Sequence, residues 1–318
     1  MRSIEVITNP PAKYDAEGGA ILNIQTSTNP SIGYKGSLNA TYAIGVVPKY
    51  LVGTSQYYKN NWLNFFASYN LSTKRDYKED EGMIEFYEPN GSVNSLWLNN
   101  FKRNTRTLSH SFNSILDFTL SEKSELSLSA NIQLTPKADS DISGLTEIFD
   151  AQNQPEFSYT TNSFLANNQD NILLDATFTT SLGENGASLI AAANYLSYED
   201  GQVQDLRSDF FSSEGELDSQ NLFKTDSEQN TQIYTGKIDL ATPWGSSSLE
   251  SGLKFSGIRS QSGMDFFDNN SSAPVFVGEF SDDFNYDENI YAAYASLSKD
   301  WETWSIKGGL RGEYTDVA

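Results

Sequence analysis

From residue 126 to 134 the chain alternates Leu126, Leu128, Ala130, Ile132 and Leu134 with Ser127, Ser129, Asn131 and Gln133. Successive side chains of an extended strand point to opposite sides, so such a segment has one apolar and one polar face. The period recurs along nearly the whole sequence. Leu63, Phe65, Ala67, Tyr69 and Leu71 alternate with Asn64, Phe66, Ser68, Asn70 and Ser72, and near the end Trp304, Ile306, Gly308, Leu310, Gly312 and Tyr314 alternate with Ser305, Lys307, Gly309, Arg311 and Glu313. This reading predicts about eleven strands between residues 34 and 314. Between them, short connections (59–61, 121–123, 183–186, 243–245, 299–302) mostly take turns with long polar ones, about 77–104, 138–165, 199–224 and 261–286. The brief 45–49 connection is the exception.

A soluble sandwich seldom alternates tight turns with connections of about twenty residues. A transmembrane barrel does, with short turns at one rim and long loops at the other. The predicted fold class is therefore all-β, a transmembrane antiparallel β-barrel, partial at about eleven strands. A mean hydropathy of −0.48 does not oppose this, because a barrel strand needs only every second residue to be apolar. Trp62, Trp244, Trp301 and Trp304 lie at or beside the short turns, as expected of an aromatic girdle at one membrane interface, while Trp97 falls in a long connection. The seventh strand, 187–198, is apolar on both faces in part and leaves its register open.

The net charge of −21 argues against nucleic acid, which needs clustered Lys and Arg. The chain has no Cys, so disulfides and thiolate metal sites are excluded, and one His, His110, makes neither a histidine metal centre nor a Ser-His-Asp triad. No cofactor or metal is expected. The acidic run Asp282-Asp283-Phe284-Asn285-Tyr286-Asp287-Glu288-Asn289 lacks the glycine and terminal Glu of a calcium loop and reads as solvated surface. Gly18-Gly19 lacks the longer glycine pattern and helix of a phosphate cradle. The opening residues run straight into a strand pattern without an apolar export segment, so the chain reads as a piece of a longer frame.

The N-terminal stretch differs from the rest: IEVITNPPAKYDAEGGAILNIQT, residues 4–26. Physically it is a strand, a rigid Pro10-Pro11 pair, a tight Gly18-Gly19 turn and a second strand. Its Asn9-Pro10-Pro11, Tyr14, Glu17-Gly18-Gly19 and Asn23 resemble the end of the plug domain of TonB-dependent outer-membrane receptors, in the Bacteroidota outer-membrane β-barrel branch. The closing GGLRGEYT, 308–315, is similar to mid-barrel strands of those receptors.

The resemblance implies a plug end over residues 1–29 and the first half of a barrel over 30–318, in the cell outer membrane of a Gram-negative bacterium. It implies energy-coupled uptake of a scarce nutrient (siderophore, cobalamin, oligosaccharide or peptide) rather than an enzyme. Implied partners are outer-membrane lipids, the TonB-ExbB-ExbD complex acting on a segment upstream, the unidentified nutrient and a surface lipoprotein. Glu5, Asp15 and Glu17 would pair with basic groups of the barrel wall. By strand face, Lys254, Lys307, Arg311 and Glu313 are the candidate lumen-facing charges. The alternative is a passive porin-like or surface-binding barrel without coupling, which would lack the plug.

Overall fold

The computed structural model describes residues 3–7, 12–14, 20–25 and 31–318. Two short strands, β1 (Ser3–Ile7) and β2 (Ile21–Gln25), pair antiparallel with each other. The remainder builds one large antiparallel sheet. Its strands are β3 (Gly33–Ile44), β4 (Pro48–Lys59), β5 (Leu63–Tyr87), β6 (Val93–Ser121), β7 (Ser124–Phe149), β8 (Pro155–Leu182) and β9 (Ala187–Ser212). They are followed by β10 (Leu217–Trp244), β11 (Ser247–Asp268), the two-residue β12 (Val275–Phe276), a 3-10 turn at Gly278–Phe280, β13 (Asp282–Asp300) and β14 (Ser305–Val317). Neighbours in sequence are neighbours in space, in the order β14-β13-β11-β10-β9-β8-β7-β6-β5-β4-β3, with β12 on β11. Within the described sheet β3 and β14 are the edges.

The four long polar connections expected from the sequence are instead strands. Residues 77–104, 138–165, 199–224 and 261–286 mostly continue β5 to β11 and β13 as hairpins, and β6 alone reaches 29 residues. They look like loops because neither face is consistently apolar, yet away from the tips and one bulge their backbones are laddered. What turns the chain at three of the hairpin tips is local. Gly91 (φ 85°), Asn153 (φ 61°) and Gly215 (φ 83°) each take the left-handed conformation. Each donates its N–H to the carbonyl three residues back, Glu88, Asp150 and Ser212 respectively. That is the three-residue hairpin loop in which a turn ends on a left-handed residue, a place suited to Gly and Asn. The fourth tip, 269–281, is longer and carries β12 and the 3-10 turn.

Continuous registers assign every side chain to a face. One face carries Arg311 and the other Leu310, and they are named here by those residues. On the Leu310 face, about ten residues at the short-turn end of each strand are apolar: Phe112, Leu116, Leu128, Ile132, Leu174 and Phe178 are examples, aligned through β6, β7 and β8. Their neighbours in sequence, on the reverse, are Asn113, Asp117, Ser129, Asn131, Asp175 and Thr177. The register also settles the seventh predicted strand: Ala191, Ala193 and Tyr195 join the Leu310 face, and Ala192 and Asn194 the Arg311 face. β7 shifts register between Thr135 and Ser140 against β8, and across Leu108/His110 against β6. Pro136 sits in that step; without an N–H it cannot continue the ladder, and the bulge absorbs the extra residue.

Very little is buried in the manner of a soluble core. Among the described residues only Ile148, Ala292 and Tyr294 are buried hydrophobics, while Leu38 and Leu310 are 85% and 84% exposed. Trp62, Trp244, Trp301 and Trp304 are exposed at the short-turn rim; Trp62 stacks on Phe118 and Trp301 on Trp304 at 4.0 Å between centroids.

Candidate functional site

The most densely connected polar region lies on the Arg311 face of β10, β11, β13 and β14. Tyr294 of β13 extends over β11 and donates its hydroxyl to Asp239 Oδ1 of β10 at 2.7 Å. The ring crosses at Gly252, where a Cβ would stand 2.6 Å from Tyr294 Cε1 and 2.7 Å from Asp239 Oδ1, so the missing side chain is what opens the path. One step toward the short turns, Glu250 accepts from Lys307 Nζ of β14 at 2.5 Å and from Ser296 Oγ of β13 at 3.3 Å. Arg311 Nε pairs with Glu313 at 2.5 Å, and the Arg311 side chain is only 9% exposed.

What covers Arg311 includes the N-terminal segment. Arg311 donates from a terminal guanidinium nitrogen to the Ala12 carbonyl at 3.4 Å, 299 positions away in sequence. Gly309 faces Ala12 so closely that a Cβ there would meet Ala12 Cβ at 3.1 Å and Ser296 Cβ at 2.7 Å. Lys13 is within electrostatic reach of Glu250 and rests over the Tyr14 ring at 5.1 Å. Ala292, Tyr294 and Ser296 are buried at 6%, 8% and 4% exposure.

The structure therefore places four sequence-derived candidates on one face: Lys254, Lys307, Arg311 and Glu313, with Lys254 in register with Ala292 and Lys237. Lys307 and Arg311 are drawn into the cluster just described, and Lys254 too is engaged. Of the N-terminal motif, Tyr14 lies in the segment held against this face, and Asn23 lies on β2 opposite Glu5. Asn9, Pro10, Pro11, Asp15, Glu17, Gly18 and Gly19 lie outside the described residues. Sequence reasoning missed Tyr294, Asp239, Glu250, Ser296, Gly252 and Gly309. Strand parity could have put them on the Arg311 face; their convergence needs the pairing register.

The same face continues as polar ladders across the sheet. Asp175 accepts from Ser129 at 2.9 Å and from Asn194, whose own oxygen accepts from Thr235 at 2.9 Å, linking β7 to β10. Asp117 accepts from Asn64 and Ser127, both at 2.8 Å. Such side-chain rungs satisfy buried polar atoms in place of water. In the extended upper halves, hydrogen bonds from Lys49 and Lys74 hold the Asp76 carboxyl below its usual range, and Lys102 and Tyr77 do the same for Glu79. Asp209, buried at 8% exposure, is held down by Arg207 and Gln220. His110 contacts Tyr69 OH through Nδ1 at 2.7 Å on the Leu310 face.

An apolar band about ten residues tall, backed by a polar face and edged by Trp, is what a strand crossing a bilayer requires. With antiparallel neighbours throughout, the fold is all-β, a long antiparallel sheet of the transmembrane β-barrel kind. Residues 180–318 match the model of the outer membrane protein beta-barrel family, which places the protein in the outer membrane of a Gram-negative bacterium. No curated protein matches the chain.

Proposed function

We propose that this chain is the plug end, residues 1–29, and the first part of the wall, 30–318, of an energy-coupled outer-membrane importer of the TonB-dependent kind. The observation that carries this reading is the seating of residues 12–14 on the Arg311 face. If the Leu310 face meets lipid, the Arg311 face encloses the lumen, and a segment resting there from the N-terminal side is where the last stretch of a plug belongs. The contacts suit a movable part. They are a hydrogen bond to the Ala12 carbonyl, a charge attraction between Lys13 and Glu250 and a close approach at Gly309, rather than interdigitated large apolar side chains whose separation exposes hydrocarbon. Force on an upstream segment, delivered by TonB-ExbB-ExbD, would peel residues 12–14 from Arg311 and Glu250 and open a path for a nutrient too large for passive pores. We read the barrel as a receptor and transporter, not an enzyme.

The test is conductance in planar bilayers with the protein in its natural full-length frame. A plugged importer gives almost no steady open-pore current, and pulling or denaturing the plug with urea reveals one. A passive porin-like barrel gives a large steady conductance from the outset, and that result would overturn the coupled reading.

A further inference from the structure

The amphipathic sense of the sheet changes partway along the long strands. In the band near the short turns the Leu310 face is apolar. Beyond it, while Phe164, Phe211 and Phe267 stand on the reverse, rings stand on the Arg311 face as well: Trp97 on β6, Phe157 and Tyr159 on β8, Phe210 on β9, Phe223 on β10 and Phe266 on β11. Their face follows from continuous registers, in which Tyr159 pairs with Phe210, and from Phe223 and Phe266 lying one diagonal step apart. The rings touch in pairs, Tyr159 with Phe210 at 5.5 Å and Phe223 with Phe266 at 5.1 Å between centroids. They are not sealed away, since Phe157 is 36% exposed and the others are half-buried.

Charges leave this face over β7 to β10, although the flanking β5 and β6 carry Lys78, Asp80 and Arg103 on it. Over residues 138–148, 157–169, 202–210 and 221–229 the Arg311 face holds no Asp, Glu, Lys or Arg, in a chain of net charge −21. On the reverse side the same stretches carry Asp141, Glu147, Asp205, Arg207, Asp209 and Lys224. Between the rings stand amides and hydroxyls such as Thr146 bonded to Asn99 at 2.8 Å and Gln204 bonded to Ser163 at 2.9 Å. These groups can each accept or donate again.

We infer that this aromatic face, uncharged from β7 to β10, is the ligand-recognition surface and that its ligand is a neutral oligosaccharide. A pyranose ring offers an apolar C–H face to stack on an aromatic ring and a rim of hydroxyls that pair with amides and alcohols. Against the β7 to β10 part of this face, an anionic chelate or acidic polymer would leave its charge unpaired, a costly arrangement when water is displaced. The inference rests on the reading that the Arg311 face is the interior of the barrel.

The experiment uses the full-length protein in bilayer nanodiscs and a panel of neutral glycans: maltoheptaose, cellohexaose, xylohexaose, mannohexaose and a short levan. Polygalacturonate and ferric citrate serve as charged probes. Binding is followed by calorimetry for the parent, Trp97→Ala, Phe210→Ala and, on the reverse face at the same height, Glu147→Ala. Micromolar or tighter binding of a panel glycan, weakened about tenfold by either ring deletion and unchanged by Glu147→Ala, supports the assignment. No binding across the neutral panel, or glycan binding indifferent to both ring deletions, overturns it. Binding of a charged probe lost on deleting the rings also overturns it, and leaves the importer reading standing. A cysteine at 157 or 210 that reacts only with a lipid-soluble reagent removes the underlying assignment of faces.

Discussion

Tyr294 reaches across an entire strand to hydrogen-bond Asp239, over a residue that has no side chain to obstruct it. Three strands are thereby tied by one hydroxyl, and Tyr294 is itself only 8% exposed. Tyr294→Phe should keep the ring and lose the bond, costing about 1 kcal/mol. Gly252→Ala should cost at least as much, because its Cβ would stand where the ring now lies. Unfolding in micelles of the two single variants and the double variant checks this. The double variant should be clearly less destabilised than the sum, since both changes break one contact.

Seating of residues 12–14 can be tested without touching a charge. Gly309→Val should push Ala12 away, because even a Cβ would meet Ala12 at 3.1 Å. Gly308→Val, on the other face with nothing within 4 Å, is the matched control. Tryptic cleavage after Lys13 in spheroplast-exposed outer membranes should rise severalfold in the first variant and stay at the parent level in the second.

The upper hairpins should loosen in acid. Asp76, Glu79 and Asp209 have carboxyls held below their ordinary values of 3.8, 4.5 and 3.8 by Lys49, Lys102 and Arg207 as leading partners. For a depressed folded pKa the unfolded state binds more protons, so stability rises with pH. The contribution is complete above the ordinary carboxylate range and fades as pH falls through the lowered folded values. Amide hydrogen exchange should therefore show weakened protection at 74–79 and 207–220 near pH 3, with the band at 126–134 unchanged. Salt at 0.5 M should mimic part of the effect, as these are exposed or partly exposed pairs.

The aromatic rim gives a separate check. Trp62, Trp244, Trp301 and Trp304 stand exposed near the short turns, whereas Trp97 lies in an upper half. In vesicles of brominated lipid, proteins retaining one of the first four should be strongly quenched. A protein retaining only Trp97 should be quenched little.

Alternation alone made the strands legible: all eleven expected strands exist, with the band residues on the expected sides. It failed where amphipathicity fails. Beyond Pro136 in β7, or from Tyr77 in β5, neither side stays apolar, and in β5 both sides carry charges, so the stretches read as loops although they are hairpins. The tips were in fact marked by Pro89-Asn90-Gly91 and Glu214-Gly215, turn signals set inside what looked like uniform polar sequence. At the site, Lys307 and Arg311 were accessible from strand parity. Glu250 and Asp239 were not, because which carboxylate a lysine meets two strands away depends on register, and register is a long-range property.

The central claim is that the sheet stands in a bilayer with its Leu310 face toward lipid and its Arg311 face toward water. It is tested most directly by single cysteines placed one at a time from 171 to 178 on β8, in a chain that has none of its own. Each is labelled with a nitroxide in outer-membrane vesicles, and collision with oxygen is compared with collision with a water-soluble nickel chelate. The account predicts oxygen-dominated relaxation at 172, 174, 176 and 178 and chelate-dominated relaxation at 171, 173, 175 and 177. A uniform profile, or chelate access at every position, would contradict it.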